Sequence, residues 1–351
     1  MKGLLRCCHD DCLLKVSDHA NVAAVERLMR KSAVSLFKGS DLSRDTLSHL
    51  LRLMELKTVF AGGLHAGGDW SLSFASPQKV KFMMVGRGNC ALQFHGTDTL
   101  VPLACGDIVL LNKSGPFTIG SHSALLANLP QQSASQVFED KSQAMVQVGE
   151  GRDLILLGCH LDVEQSSYSD LFLSSLPAFS LIPANSPAAS KLKWLIESVL
   201  DEASDIRPGT ELAMANIINM IFIHLLRDRL FLEPVTEASL LNALSDNRLE
   251  KAIGLMHQQP EQAWTLAELA KTVAMSRTTF ATRFKEAAGI APLAYLTKLR
   301  MALAQRLLRQ GKQSLEQVAS AVGYGSEAAF STAFKRLVGQ SPALWRRTRV
   351  G

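Results

Sequence analysis

Two stretches near the end of the chain repeat each other, and no other feature narrows the fold as far. The first is TLAELAKTVAMSRTTFATRFKEAAGIAPLAYL, from Thr265; the second is SLEQVASAVGYGSEAAFSTAFKRLVGQSPALW, from Ser314. Leu266, Leu269, Ala270 and Val273 in the first, and Leu315, Val318, Ala319 and Val322 in the second, keep helical spacing and can bury one face. A serine cap follows (Ser276, Ser326), then an inward pair (Phe280 and Phe284, Phe330 and Phe334), a glycine that ends the helix (Gly289, Gly339) and a proline that opens the next (Pro292, Pro342). Phe280 to Pro292 is the same step as Phe330 to Pro342, and Lys285 matches Lys335. Before the turns the offset is one residue smaller, so GYG carries an insertion relative to AM.

A helix, a tight turn and a second helix with its outer face free make a helix-turn-helix, whose second helix enters the DNA major groove. Any helical hairpin can imitate one copy. Two in register, separated by the helix PLAYLTKLRMALAQRLLRQG, are a far stronger signal. Charge agrees with this: from Ser245 to the end there are 16 Lys and Arg against 7 Asp and Glu, a formal +9, while the remainder carries −4 and the whole +5. A basic third joined to a mildly acidic body is the electrostatic footprint of a polyanion binder.

Residues 246 to 349 resemble the DNA-binding domain of the AraC/XylS family of bacterial transcription regulators. The resemblance rests on KLRMALAQRLL with Arg300, on VGYGSEAAFSTAFKRLVGQSPALWR and on both glycine-proline ends. It implies a sequence-specific regulator that binds double-stranded DNA at a promoter or operator, activates transcription, contacts RNA polymerase and is not an enzyme. It places base-edge contacts at Arg277, Thr278, Ala281 and Thr282 of the first recognition helix and at Glu327, Ala328, Ser331 and Thr332 of the second. Arg277 suits guanine, Glu327 the N4 amine of cytosine, and threonine methyls the thymine methyl. Arg283, Lys285, Lys335, Arg336, Arg346 and Arg347 are the candidates for phosphate contacts. Arg300, in the linking helix, reads as structural, pairing with a carboxylate such as Glu268.

The middle of the chain reads as β. DWSLSF, KVKFMMVGRGNCALQFHG, DTLVPLACGDIVLLNKSGPFTIG and RDLILLGCHLDV are short apolar runs with turn glycines between them, the spacing of a barrel or jelly roll. Residues 49 to 163 resemble the cupin sensor domain of one AraC/XylS branch, which includes regulators responding to reactive chlorine. Relatives tend to carry histidine where Met83 and Phe117 stand, and neither of these ligates a metal as imidazole does. This argues against the alternative of a cupin-type metal-dependent enzyme, and no metal or cofactor is expected. The effector is then either a small molecule in the barrel or an oxidant. For an oxidant, Cys159 beside His160 is the candidate redox sensor, with Cys90 and Cys105 as partners; otherwise such a cysteine is a buried small hydrophobe.

Six cysteines in 351 residues are too sparse for a disulfide scaffold, so reduced thiols are the default. Half of them stand in CCHDDC, at Cys7, Cys8 and Cys12 beside His9. Adjacent cysteines do not readily share one tetrahedral ion, which leaves little for the other alternative, a zinc-cysteine DNA-repair methyl acceptor. No apolar run reaches the roughly 18 residues that a membrane helix requires, and the start lacks a signal peptide's apolar stretch. A soluble, cytoplasmic protein is the expectation.

Residues 20 to 56 carry a helical pattern. After the sheet come two helices, SPAASKLKWLIESVLDEAS and GTELAMANIINMIFIHLLRDRLF; the second is apolar nearly all round and is buried against the barrel or against a second copy of the chain, a homodimer. EPVTEASLLNALSD is short and polar enough to hinge. The predicted architecture is α+β and multidomain: an N-terminal extension over 1–48, partly helical or disordered; a cupin-like β-barrel or jelly roll over 49–183; a helical layer over 184–232 that is also the candidate dimer interface; a linker over 233–245; and an all-α domain with two helix-turn-helix motifs over 246–351.

Overall fold

The computed structural model describes residues 45–121, 129, 131–140, 144–232 and 238–349. CCHDDC and the helical pattern before residue 45 lie outside the described residues. From Thr46 onward the chain packs as one unit.

Two facing sheets make the first half. One has the strand order Phe179–Ile182 (β11), Ile108–Leu111 (β6), Lys81–Arg87 (β3), Leu154–Asp162 (β10), Lys57–Gly67 (β1) and Met145–Gly149 (β9). The other runs Leu100–Ala104 (β5), Asn89–Phe94 (β4), Phe117–Gly120 (β7), Ser71–Phe74 (β2) and Gln131–Ser133 (β8). Pairing is antiparallel except between β1 and β9 and between β2 and β8. Helices Thr46–Leu53 (α1), Ala134–Val137 (α2) and Ser167–Leu173 (α3) are interspersed with the strands.

Strand alternation sorts the side chains into two cores. Met83 and Val85 of β3 and Leu154 and Leu156 of β10 face the space between the sheets, with Leu92, Phe117 and Ile119 opposite. Phe82, Met84, Leu157, Cys159 and Leu161 point out of the other side. Helices Pro187–Ser204 (α4) and Thr210–Leu232 (α5) cover that outer side: Leu195 and Val199, Ile218 and Phe222 are fully buried there, and Phe222 stacks 6.3 Å from Phe82. Each such side chain contributes about 1.5–3 kcal/mol by burial. The apolar circumference of α5 is not wholly buried as its composition suggests. Leu212 and Met220 are 69% and 43% exposed, because the sheet covers only one side of the helix.

The connection to the second half also differs from expectation. Residues 240–245 of the expected hinge form a helix, Leu240–Ser245 (α6), with Leu240, Leu241, Ala243 and Leu244 buried. The Leu240 N–H donates to Ser175 Oγ (2.8 Å) and the Ser239 N–H to the Ala287 carbonyl (2.7 Å), so both halves grip it. Its apolar stripe outweighs the polar composition of the segment as a whole. Then follow Asn247–Gln258 (α7), Leu266–Thr272 (α8), Arg277–Ala288 (α9), Pro292–Gln310 (α10), Leu315–Ala321 (α11), Glu327–Val338 (α12) and Pro342–Arg349 (α13).

Candidate DNA interface and effector cleft

The two repeats are built alike down to their caps. Helices α8 and α11 each open with a capping box, Thr265 with Glu268 and Ser314 with Gln317. Ser276 and Ser326 cap α9 and α12 by accepting from the backbone of Thr279 (3.1 Å) and Ala329 (3.2 Å). Both recognition helices end on a left-handed glycine, Gly289 at φ 71° and Gly339 at φ 87°. Phe280, Phe284, Phe330 and Phe334 are fully buried. Tyr295 and Trp345 close the two cores, their rings 5.9 Å from Phe284 and 6.2 Å from Phe334.

With the phenylalanines inward, the opposite faces are free. Arg277, Thr278 and Thr282 on α9 and Glu327, Ala328 and Thr332 on α12 are exposed, while Ala281 and Ser331 are half-buried. Each helix bears a shallow groove lined by matching positions: Thr278, Thr279, Thr282, Arg283 and Glu286 on one, Ala328, Ala329, Thr332, Ala333 and Arg336 on the other. The first face is more polar than the second, which carries three alanines. These faces have different chemistry on one geometry, the condition for reading two different sequences.

The six cations proposed for phosphates divide. Lys285, Lys335, Arg336 and Arg347 are exposed. Arg283 is engaged, its Nε donating to Asp246 Oδ2 (2.7 Å), and Asp246 also caps α7. Arg346 donates from Nη2 to the Gln313 carbonyl (2.8 Å), which ties α13 to the loop before α11. Arg300 is structural, but its partner is not Glu268, whose carboxylate is taken up by the backbone and hydroxyl of Thr265. Arg300 donates from Nε to the Pro260 carbonyl and from Nη2 to the Gln262 carbonyl, both at 2.7 Å. A Cβ on Gly323 would fall 2.6 Å from that Nη2, so the glycine of GYG leaves room for the guanidinium that ties α10 to the loop before α8.

A hydrogen-bonded cluster between the two halves went unnoticed in the sequence. Tyr168 of α3, His257 of α7 and Tyr295 of α10 meet with their polar tips together: Tyr168 Oη lies 3.0 Å from His257 Nε2 and 3.1 Å from Tyr295 Oη, and His257 Nε2 lies 2.7 Å from Tyr295 Oη. Both tyrosines are fully buried. Around them Lys298 Nζ donates to the Ser167 carbonyl (3.1 Å), and Arg309 pairs with Glu55 and with Glu164 (3.2 Å). The available signal was scarcity, since the chain has only three tyrosines.

At one end of the barrel a cleft of about 540 Å³ opens, lined by residues of β1, β2, β3, β8, α2 and β10. Phe74, Met83, Phe138 and Leu156 wall it, and Lys81 and His160 reach it. Met83 and Phe117, the positions where histidine is usual, both sit in the core between the sheets. Cys159 borders the cleft, but its side chain belongs to the layer under the helices and is 1% exposed. Burial pushes its thiol well above the usual range; for Cys90, burial and then the Asp107 charge push it up to about 12. Cys90 lies between the sheets and Cys159 outside them, so a sheet separates the two; Cys105 is exposed, its thiol directed to the Gly86 carbonyl (3.4 Å). An imidazolium at the adjacent His160 would lower the Cys159 pKa and activate the thiol. Burial and the Lys79 charge instead lower the His160 pKa, with Asp162, 3.8 Å away, opposing them.

Comparison with known proteins supplies the rest. Residues 45–230 match the cupin family and residues 269–348 the helix-turn-helix domain family. A Streptomyces lividans protein described as an AraC-like transcription regulator is 34% identical over 303 residues, covering 86% of this chain and 98% of its own. The RCS-specific HTH-type transcriptional activator RclR of Escherichia coli is 28% identical, covering 86% and 97%. Among solved structures, the DNA-binding domain of the global transcriptional factor AdpA, in complex with a target DNA, is 34% identical over 28% of this chain and 88% of its own, with a TM-score of 0.27.

Proposed function

Because the chain belongs to the AraC-like transcription regulators, a DNA-binding family whose helix-turn-helix domain here follows a cupin domain, we propose that α9 and α12 read two parts of one promoter site under control of the barrel cleft. The observation that carries this reading is the pairing of the recognition faces: two helices, capped and buried alike, with equivalent outer residues free of the core. Arg277, Thr278, Ala281 and Thr282 would read bases in one half, and Glu327, Ala328, Ser331 and Thr332 in the other. Lys285, Lys335, Arg336 and Arg347 would hold phosphates. Arg283 would join them only by leaving Asp246, and Arg346 serves the frame.

The effector is a small molecule in the cleft. Oxidant sensing at Cys159 is the less favoured alternative, since the thiol is buried and held protonated. Control would pass along β10, which borders the cleft at Cys159 and His160 and leads within a few residues to Tyr168 at the junction. An effector that favours one arrangement of that junction would shift how the recognition helices are presented. We read the protein as a cytoplasmic, non-catalytic activator that contacts RNA polymerase. Trp194, Leu212 and Met220 leave α4 and α5 an apolar solvent edge suited to a second copy of the chain.

Enrichment of sites from a random duplex pool tests this reading. The expected product is a bipartite sequence, with preferences in one half relaxed by Arg277→Ala and in the other by Glu327→Ala. Recovery of no common sequence would sink it.

A further inference from the structure

The cleft holds a positive charge that no carboxylate of the described residues pairs with. Lys81 opens β3 on the face that Met83 and Val85 continue inward, and its Nζ lies 5.7 Å from the centroid of the Phe74 ring. The residue is half-buried, and burial lowers its pKa. Among the described residues no carboxylate pairs with it. The neighbouring Lys79 is already matched by Asp162, and among the described residues no Asp or Glu lines the cleft. A partly desolvated ammonium without a counter-ion is costly, and an incoming anion recovers that cost as binding.

The remainder of the lining is of another kind. Phe74, Met83, Phe138 and Leu156 offer aromatic and aliphatic surface, and the volume of about 540 Å³ is that of a small-molecule pocket. His160, kept from protonation by burial and the lysine charges, adds a neutral ring nitrogen rather than a second cation. We propose that the cleft takes a small organic carboxylate with an apolar body, its acid group on Lys81 Nζ and its body against Phe74, Met83, Phe138 and Leu156. This rests on the reading of the cleft as the effector site.

Two probe series that differ only in head group separate the possibilities: octanoate, octan-1-ol and octylamine, and 3-phenylpropanoate with its alcohol and its amine. Titration calorimetry on the full chain is expected to give the carboxylate of at least one series about ten-fold tighter binding than its alcohol, and the amine none. Lys81→Met should remove that advantage and leave alcohol binding unchanged, and Lys81→Arg should restore most of it. An unchanged thermal midpoint for Lys81→Met shows that the barrel still folds. Alcohol binding as tight as carboxylate, or carboxylate binding indifferent to Lys81→Met, overturns the anion while leaving an effector cleft. No binding by any of the six probes overturns the proposal. Site selection on DNA without ligand is independent of all these outcomes, so failure here and failure of the regulator reading are distinguishable.

Discussion

Tyr295 and Trp345 occupy equivalent places in the two repeats, each closing a phenylalanine pair, but only Tyr295 has a hydroxyl, and that hydroxyl lies 2.7 Å from His257. The difference follows from what lies beyond each ring. Tyr295 faces the sensor half through Tyr168, whereas Trp345 carries Arg309 at 5.8 Å from its ring. Tyr295→Phe keeps the packing and leaves two buried polar groups short of a partner. The expected loss is about 1–3 kcal/mol in urea unfolding, with DNA affinity in the absence of effector little changed. An unaltered unfolding midpoint contradicts the role given to this cluster.

The same cluster sets a pH dependence. Burial, and then the nearby His49, lower the His257 pKa to about 3, against about 6.5 for an unperturbed imidazole. As pH falls the unfolded chain therefore takes up this proton first. Stability from this site is fully present above about pH 6.5 and is lost toward pH 3, at roughly 1.4 kcal/mol per unit within that window. His257→Gln, which keeps hydrogen-bonding capacity without titrating, should flatten that part of the urea-midpoint profile between about pH 7 and about pH 5. Parallel profiles for the two proteins would refute it.

The turns of the two repeats predict opposite responses to exchange. Ala274 stands at φ 53° where the second repeat has Gly323 at φ 78°. An L-residue in that conformation costs about 1–2 kcal/mol, part of which glycine gives back through its greater freedom in the unfolded chain. Ala274→Gly should stabilise by about 0.5–1 kcal/mol. Gly323→Ala adds both the strain and a clash with Arg300 and the Glu261 carbonyl, and should cost about 2 kcal/mol or more. Thermal unfolding of both variants decides, and destabilisation by Ala274→Gly would show the strain account to be mistaken.

Thiol chemistry separates the cysteines of the barrel. Cys105 is exposed, while Cys90 and Cys159 are buried with raised pKa values. Mass-spectrometric mapping after brief maleimide treatment of the native protein should find Cys105 modified and Cys90 and Cys159 modified only after unfolding. Native labelling of Cys159 at a rate near that of Cys105 would bring the oxidant reading back.

The DNA-binding half is legible in the sequence because its determinants are local. Caps, phenylalanine pairs, turn glycines and helix-opening prolines act within a dozen residues, and they recur. The barrel is legible as strands but not as a cleft, since only alternation in the folded sheet reveals that Lys81 and Met83 face inward and Cys159 outward. The junction is not legible at all: Tyr168 lies 89 residues from His257 and 127 from Tyr295, and no local pattern marks a contact over such distances. Composition also misleads in the connecting segment, where polar residues flank the buried stripe of Leu240, Leu241 and Leu244.

The central claim is that both recognition faces bind DNA together, and affinity for a selected site tests it most directly. Three variants are measured against the wild type: Arg277→Ala with Thr282→Ala on α9, Glu327→Ala with Thr332→Ala on α12, and all four changes combined. Each pair should weaken specific binding by about ten-fold or more, the combination should approach non-specific affinity, and the salt dependence set by Lys285, Lys335, Arg336 and Arg347 should persist. Wild-type affinity in either paired variant would mean that its helix does not read DNA.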